Sequence, residues 1–245
     1  MSVAIPNYDY KYLRKRKHVF VPSGVGRRIG LEVKEKVEDN FEFDPFFFHL
    51  KRGGHVAAIH SHRNHRWFAR IDISNFFYSV SRRRVRSALD RIGLGKAQFY
   101  AKWSTVSNPY HDPKYALPYG FVQSPILASL VIATSSVGEY LRNLPDTISP
   151  SVYVDDISLS SDSLDDLVHV FDEFSQVLQE DGFSVSQEKL RRPAAAIDIF
   201  NCNLEHARTE VRHERVEEFF ASYQTEEASG AFTAYCASVE VGNEP

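Results

Sequence analysis

Three aspartates could do chemistry. Asp72 lies in Trp67-Phe68-Ala69-Arg70-Ile71-Asp72-Ile73, and Asp155-Asp156 lie in the stretch Ile148 to Ser161, ISPSVYVDDISLSS. Carboxylates are the hard oxygen ligands that a magnesium ion takes, and adjacent ones on a rigid turn present them without the entropy cost of ordering a loop. Asp is also a common turn residue, because its side chain hydrogen-bonds its own backbone. The pair alone therefore supports a metal site and a plain turn alike. Asp72 favours the metal: an acid inside an apolar strand is costly to bury unless a partner meets its charge, and a metal ion at the strand end would.

These acids need elements to hold them. The 67–73 run alternates as a strand does, and two short β-patterned runs, carrying Val152 and Val154 and then Ile157 and Leu159, meet at the aspartate pair in a tight hairpin. After Asp72, Ser81 caps an arginine-rich helix with Val85, Leu89 and Ile92 on one face and Gly93 at its end. Residues 94–116 show no regular pattern. Ser124 caps a further helix with Pro125 at its first position, apolar almost all round from Ile126 to Val137 and so buried against a sheet. Its N-terminus, where Gly120 permits close backbone approach, is a place for an incoming nucleotide. Ser163 opens a helix with Leu164, Leu167, Phe171, Phe174 and Leu178 at helical spacing, ended by Gly182. Lys189 and a strand from Ile197 follow. The order predicts an α+β fold, a βαββαβ-like antiparallel sheet with helices on one face, in which the Asp72 strand lies beside the hairpin.

At 245 residues the chain is one subdivided domain or two small ones, with 43% hydrophobic and 25% charged residues, as in a soluble globular protein. Its 18 Phe and 12 Tyr suit an aromatic core and equally suit stacking on bases. The net charge of -3 hides a strong asymmetry. Residues 1–30 carry seven Lys/Arg against Asp9, and Arg82, Arg83, Arg84, Arg86 and Arg91 form another basic group. From Glu205 onward nine acids face three arginines. The N-terminal half is where a phosphate backbone would be welcome. Two short strands joined by the glycine loop Pro22 to Gly26 are expected near the N-terminus, and Arg27 and Arg28 just past it fit a grip on a triphosphate and a solvated basic hairpin alike. Cys202 and Cys236 form no CxxC pair, and His49, His55, His60, His62 and His65 lack a zinc-site spacing. No run of 18 apolar residues and no signal-peptide order occur, so a cytoplasmic protein with no membrane role is expected.

In order and spacing, roughly from residue 10 to 205, the motifs resemble the palm and fingers of a reverse transcriptase. The family's first acidic motif resembles Arg70 to Phe77, its second Leu117-Pro118-Tyr119-Gly120 with Ser124-Pro125, and its third, the YxDD box, is Tyr153-Val154-Asp155-Asp156. Its finger motif resembles Gly24 to Ile29, its lysine motif Lys189, and its primer grip the strand Ile199-Phe200-Asn201-Cys202-Asn203-Leu204. Tyr119 stands where many members have Gln, Ser23 where a finger Lys is common, and the primer grip lacks the usual Gly.

The resemblance implies fingers over 1–66 with part of 94–116, a palm over 67–205 and a short acidic thumb-like segment over 206–245. It implies an RNA-directed DNA polymerase, a nucleotidyltransferase using two Mg2+ ions, with Mn2+ as a substitute. Asp72 and Asp155 would bridge the metals, the Ile73 carbonyl would add a ligand and Asp156 would assist. Arg27, Arg28, Phe77, Tyr119, Gly120 and Lys189 would handle the dNTP, with Lys189 as proton donor to pyrophosphate. Phe200, Asn201, Cys202 and Asn203 would grip the primer. Compact bacterial members near the retron, abortive-infection and defence-associated groups act on a dedicated non-coding RNA, so the expected partners are that RNA template, the DNA product, dNTPs, and a second protomer or a partner protein. The rivals are a palm fold that binds RNA without turnover, an RNA-dependent RNA polymerase, and a nucleotide cyclase, for which no GGDEF-like hairpin is present.

Overall fold

The alternating stretch around Asp72 becomes a central strand. In the computed structural model, which describes residues 6–243, the strands are β1 (Tyr8–Arg14), β2 (Lys17–Pro22), β3 (Trp67–Asp72), β4 (Val106–Ser107), β5 (Tyr115–Ala116), β6 (Ser149–Tyr153), β7 (Asp156–Ser161), β8 (Arg191–Ala194), β9 (Ala196–Ile199), β10 (Cys202–Glu205) and β11 (Arg208–Val211). The helices are α1 (Gly24–Asn40), α2 (Gly54–His62), α3 (Phe76–Ser79), α4 (Arg82–Arg91), α5 (Ala97–Ser104), α6 (Ser124–Ala133), α7 (Ser136–Arg142), α8 (Leu164–Glu180), α9 (His213–Phe220) and α10 (Glu226–Glu240). The chain divides into two units, one of the residues up to Asp44 with Ile73–Arg142 and Val177–Ser184, the other of Pro45–Asp72, Asn143–Gln176 and the residues from Val185 on.

The second unit is built on a four-stranded antiparallel sheet in the order β6-β7-β3-β8. Register places Asp72 of β3 directly across from Asp156 of β7, so the expected neighbourhood of strand and hairpin is present. Both faces of β3 are covered, which is why Phe68, Ala69 and Ile71 are all buried. A smaller antiparallel sheet, β11-β10-β9, packs Ile197, Ile199, Cys202, Leu204 and Val211 against Ile59, Phe68, Phe232 and Val239. Each such large apolar side chain contributes about 1.5–3 kcal/mol. Phe219 of α9 stacks on Phe232 of α10 with ring centroids 4.0 Å apart, so the acidic tail has an apolar inner side. Tyr223 lies beyond α9 and is 93% exposed.

In the first unit two local expectations are corrected. The Pro22–Gly26 stretch is no loop between strands: β1 and β2 already form the hairpin, and Ser23 caps α1 by accepting from the Gly26 N–H at 3.1 Å. Gly26 is needed because a Cβ there would fall 2.2 Å from the Asn7 carbonyl oxygen. The apolar run Ile126 to Val137 is not one helix. It breaks after Ala133 into α6 and α7, which bend by 68°, where Thr134 Oγ1 and Ser135 Oγ donate back to the Leu130 and Ile132 carbonyls. Ser124 is the first helical residue of α6 rather than its cap, and its hydroxyl donates to the Pro118 carbonyl at 2.7 Å. Residues 94–116, patternless in sequence, hold α5 and the short β4–β5 pair. Among the described residues no single helix is long and apolar enough to cross a membrane.

Candidate active site

In the second unit, Asp72 is buried at 3% exposure, and its Oδ2 accepts from Lys189 Nζ at 2.7 Å. Its own carbonyl accepts from the Ser186 N–H at 2.8 Å, which ties the segment leading to Lys189 against the end of β3. A buried carboxylate needs a cation, and here an ammonium whose side chain is half-exposed supplies it.

The hairpin differs in detail from its sequence reading. Tyr153 pairs with Asp156, so the two turn residues are Val154 and Asp155, and Asp156 is the first residue of β7. Val154 has φ +60°, a left-handed conformation that a β-branched side chain rarely takes. Such a position costs on the order of 1–3 kcal/mol and persists only where surrounding contacts impose it. One of them is His49, whose Nδ1 accepts from the Val154 N–H at 3.2 Å. Burial pulls the His49 pKa down to about 4, which keeps the ring neutral and so leaves it a nitrogen that can accept.

Asp156 is held by a residue that sequence reasoning missed. Arg70 Nε donates to Asp156 Oδ1 at 2.6 Å, Nη2 approaches the same oxygen at 2.5 Å, and Nη1 lies 3.6 Å from Asp198 Oδ2. Asp198 also meets Arg191. The chain Asp156–Arg70–Asp198–Arg191 thus links the YVDD hairpin to β8 and β9. Burial raises the Asp156 carboxyl to about 6 against the opposing pull of Arg70. The signal available in sequence was parity: Arg70 and Asp72 are two apart on one strand and so share a face.

The primer-grip stretch is a hairpin and not one strand. Phe200 and Asn201 both have positive φ, 51° and 62°, and form the two-residue turn between β9 and β10. The Phe200 ring lies 5.1 Å from that of Tyr153 and 5.8 Å from that of His55, so this turn is brought to the first residue of the box. Cys202 points into the core beside Tyr235 Oη at 3.5 Å, while Asn203 faces outward and donates to Glu210.

The other sequence-predicted residues belong to the first unit. Ile73 and Phe77 are buried at 1% and 8% exposure. Phe77 meets the Tyr119 ring edge-on at 4.8 Å, and Lys17 Nζ donates to Tyr119 Oη at 2.9 Å while lying 4.6 Å from its ring centroid. Phe20 of β2 donates its N–H to the Tyr119 carbonyl. Gly120 has φ +100°, and a Cβ there would fall 2.2 Å from the Phe20 oxygen; its glycine is needed for approach to β2. Arg27 and Arg28 are exposed on the first turns of α1, with no ion pair among the described residues. Lys17 was not singled out by the sequence, where it reads as one of several basic hairpin residues.

As metal donors, the acids offer the hard oxygens a divalent ion prefers. Among the described residues no three His, Cys, Asp or Glu side chains converge as a ready cage; instead Lys189 stands on Asp72 and Arg70 on Asp156. Asp72 fits a cation because an exchangeable one already occupies it. Asp156 is committed to Arg70.

The model of the family described as reverse transcriptase (RNA-dependent DNA polymerase) matches residues 2–203. No curated protein matches the chain. Among solved structures it is similar to the foamy viral protease-reverse transcriptase dRH in complex with double-stranded DNA, at 18% identity and a TM-score of 0.52, over 88% of this chain and 32% of that one. A second foamy viral protease-reverse transcriptase structure, in complex with dsDNA, aligns at 17% identity and TM-score 0.53, over 91% of this chain and 41% of that one. Telomerase from Candida albicans with a TWJ fragment of telomeric RNA aligns at 11% and 0.50, over 77% and 39%. The chain spans about a third of the length of the first of these, and at such identities the likeness concerns the fold. Because the family model covers residues 2–203, and with them Asp72, the Leu117–Gly120 stretch and Tyr153-Val154-Asp155-Asp156, the chain belongs to the reverse transcriptase (RNA-dependent DNA polymerase) family.

Proposed function

We propose that this chain is an RNA-directed DNA polymerase that adds deoxynucleotides to a primer 3′-hydroxyl on a dedicated non-coding RNA, in bacterial antiphage defence. The observation that carries the activity is the β3–β7 register, which sets Asp72 across from Asp156 and one residue from the turn that presents Asp155. The defence role and the RNA rest on the resemblance to compact bacterial members and on the basic N-terminal half.

Asp72 and Asp155 are the residues that would hold divalent ions, with the Ile73 carbonyl as a further donor; Mg2+ is the expected metal and Mn2+ a substitute. When bound, two such ions would supply Lewis-acid chemistry for the primer hydroxyl and for the charge on the transferring phosphate. The chain's own residues do the rest. Lys189, once displaced from Asp72, would give a proton to the leaving pyrophosphate. Arg70 fixes Asp156, and through it the hairpin that carries Asp155. Phe77 and Tyr119 form an aromatic wall for the nucleotide, with Lys17 and the exposed Arg27 and Arg28 as cations for its phosphates. Phe200 beside Tyr153 offers a surface for the primer end, with Asn201 on the same turn.

The acidic segment after residue 205 repels phosphates, and Phe220 and Tyr223 on it are exposed. A second protomer, a partner protein or the structured RNA is therefore proposed to complete the nucleic-acid channel. The test is primer extension by protein stripped of nucleic acid, with dNTPs and Mg2+, alongside sequencing of the nucleic acid that co-purifies. Template-dependent DNA synthesis lost in Asp72→Asn supports the reading; equal activity in that variant refutes it. One observation favours a second reading, an RNA-binding palm without turnover: two of the three acids are already neutralised by Lys189 and Arg70. Nucleic acid bound tightly but never extended would select it.

A further inference from the structure

Arg70, Arg84, Arg142, Arg191 and Arg192 each meet an aspartate. Arg82 does not. Its Nε donates to Thr105 Oγ1 at 2.7 Å, and its guanidinium carbon lies 3.8 Å from the centroid of the Tyr115 ring. Both partners are neutral, so the guanidinium is fixed in direction while its charge stays unbalanced among the described residues. Burial pulls its pKa below the ordinary arginine value, a sign that the cation is partly stripped of water.

Arg82 forms part of the wall of a cavity of about 380 Å³ whose other cations are Arg83, Arg86 and Lys114. No Asp or Glu lines it. Arg83 makes no ion pair among the described residues, and the Arg86 contact with Asp90 is an exposed pair one helical turn apart, of little energetic weight. A second cavity of about 350 Å³ shares Arg82 and Tyr115 and adds Lys102 and Trp103, again with no acid in its lining. A partly desolvated, pre-oriented guanidinium among further cations, with no carboxylate opposite, matches phosphate oxygens. The flanking rings of Tyr115 and Trp103 suit bases.

We propose that the Arg82 cavity binds the phosphate backbone of a single-stranded nucleic acid, seating one nucleotide unit, with residues that take no part in the Asp72, Asp155 and Asp156 site. The volume is at the small end for ligand cavities, which run roughly 300–1,000 Å³, and has no room for a duplex. The proposal deepens the polymerase reading, on which it rests for the class of ligand, by naming where a single strand is held.

The test uses the full chain stripped of nucleic acid and a fluorescein-labelled 12-mer of uridylate, followed by anisotropy across a salt series. The double variant Arg83→Ala/Lys114→Ala removes two exposed cations, and Arg82→Gln removes the fixed fork; thermal melting checks that each folds. The double variant is expected to bind several-fold more weakly and to lower the slope of log K against log salt by about 1.4, two contacts at about 0.7 each for a single strand. Unchanged affinity and slope in folded variants overturn the proposal. So does displacement of inorganic phosphate or a free dNTP, but not the 12-mer, by these substitutions, since the cavity would then serve a small anion. Primer extension by the wild-type chain is read in parallel: absence of extension refutes the polymerase reading while the anisotropy result stands on its own.

Discussion

Arg70 and Asp156 meet at 2.5–2.6 Å across the β3–β7 ladder, on a face that Arg70 shares with Asp72. The two adjacent aspartates of the YVDD box therefore differ in surroundings. Asp156 sits on a strand in the fork of an arginine whose side chain is only 10% exposed, while Asp155 sits on a turn strained at Val154.

That difference predicts a split between neighbouring substitutions. Asp155→Asn should lower nucleotide incorporation by at least about 100-fold, roughly 3 kcal/mol of transition-state stabilisation, with little change in melting, because a turn tolerates Asn. Asp156→Ala removes the acceptor altogether, leaves a nearly buried Arg70 with only its Asp198 contact, and should cost about 3 kcal/mol of stability. Chemical denaturation of both variants checks this, and equal stability losses would contradict the separate roles.

Lys189 competes with any cation for Asp72. Its side chain is half-exposed, so the pair has the modest strength of a screened ion pair, and Lys189→Gln should lower the Mg2+ concentration for half-maximal incorporation by about threefold. A titration of activity against Mg2+ measures it. An unchanged midpoint would mean that Lys189 leaves Asp72 at no cost.

Phe77 follows Asp72 by five residues, and its ring is buried edge-on against Tyr119. A ring at the family's sugar-discriminating position would collide with a ribose 2′-hydroxyl, so deoxynucleotide selectivity is expected. Phe77→Val should admit ribonucleotides, because rejection by bulk disappears with the bulk. The ratio of rNTP to dNTP incorporation in wild type and variant is the measurement, and a wild type that uses both equally would exclude the DNA-polymerase reading.

His62 of α2 is buried between the Ser160 and Ser151 hydroxyls, at 2.7 Å from each. Burial, with a smaller contribution from His65, pulls its pKa from 6.5 to about 3. The unfolded chain takes up a proton near pH 6.5 that the folded one refuses, so this contribution to stability is fully present above pH 6.5 and lost as pH falls towards 3, about 2 kcal/mol between pH 6.5 and 5. Asp156 acts in the opposite sense: its raised value, about 6 against 3.8, gives stability that is present below pH 3.8 and lost as pH rises through 6. Subtracting the urea-denaturation profile of His62→Gln from that of wild type isolates the first effect. A difference that does not shrink as pH falls from 6.5 to 5 would contradict the neutral buried ring.

What the sequence by itself determined is what neighbours along the chain determine. The alternation around Asp72 specified β3, Ser81 and Ser163 announced the helices they cap, and the order of the three motifs carried the family. Each of these signals acts within a few residues, where backbone geometry and capping hydrogen bonds decide the outcome. The glycines at 24 and 26 misled for the same reason, since Gly26 answers to the Asn7 carbonyl that the preceding hairpin brings to it. Tertiary structure alone decided which cation serves which acid. Lys189 reaches Asp72 across 117 positions and Arg70 reaches Asp156 across 86. Charge pairing has no sequence periodicity. It is fixed by strand register and by the need of buried carboxylates for a partner, and both exist only once β3, β7 and the segment after Ser186 are packed together.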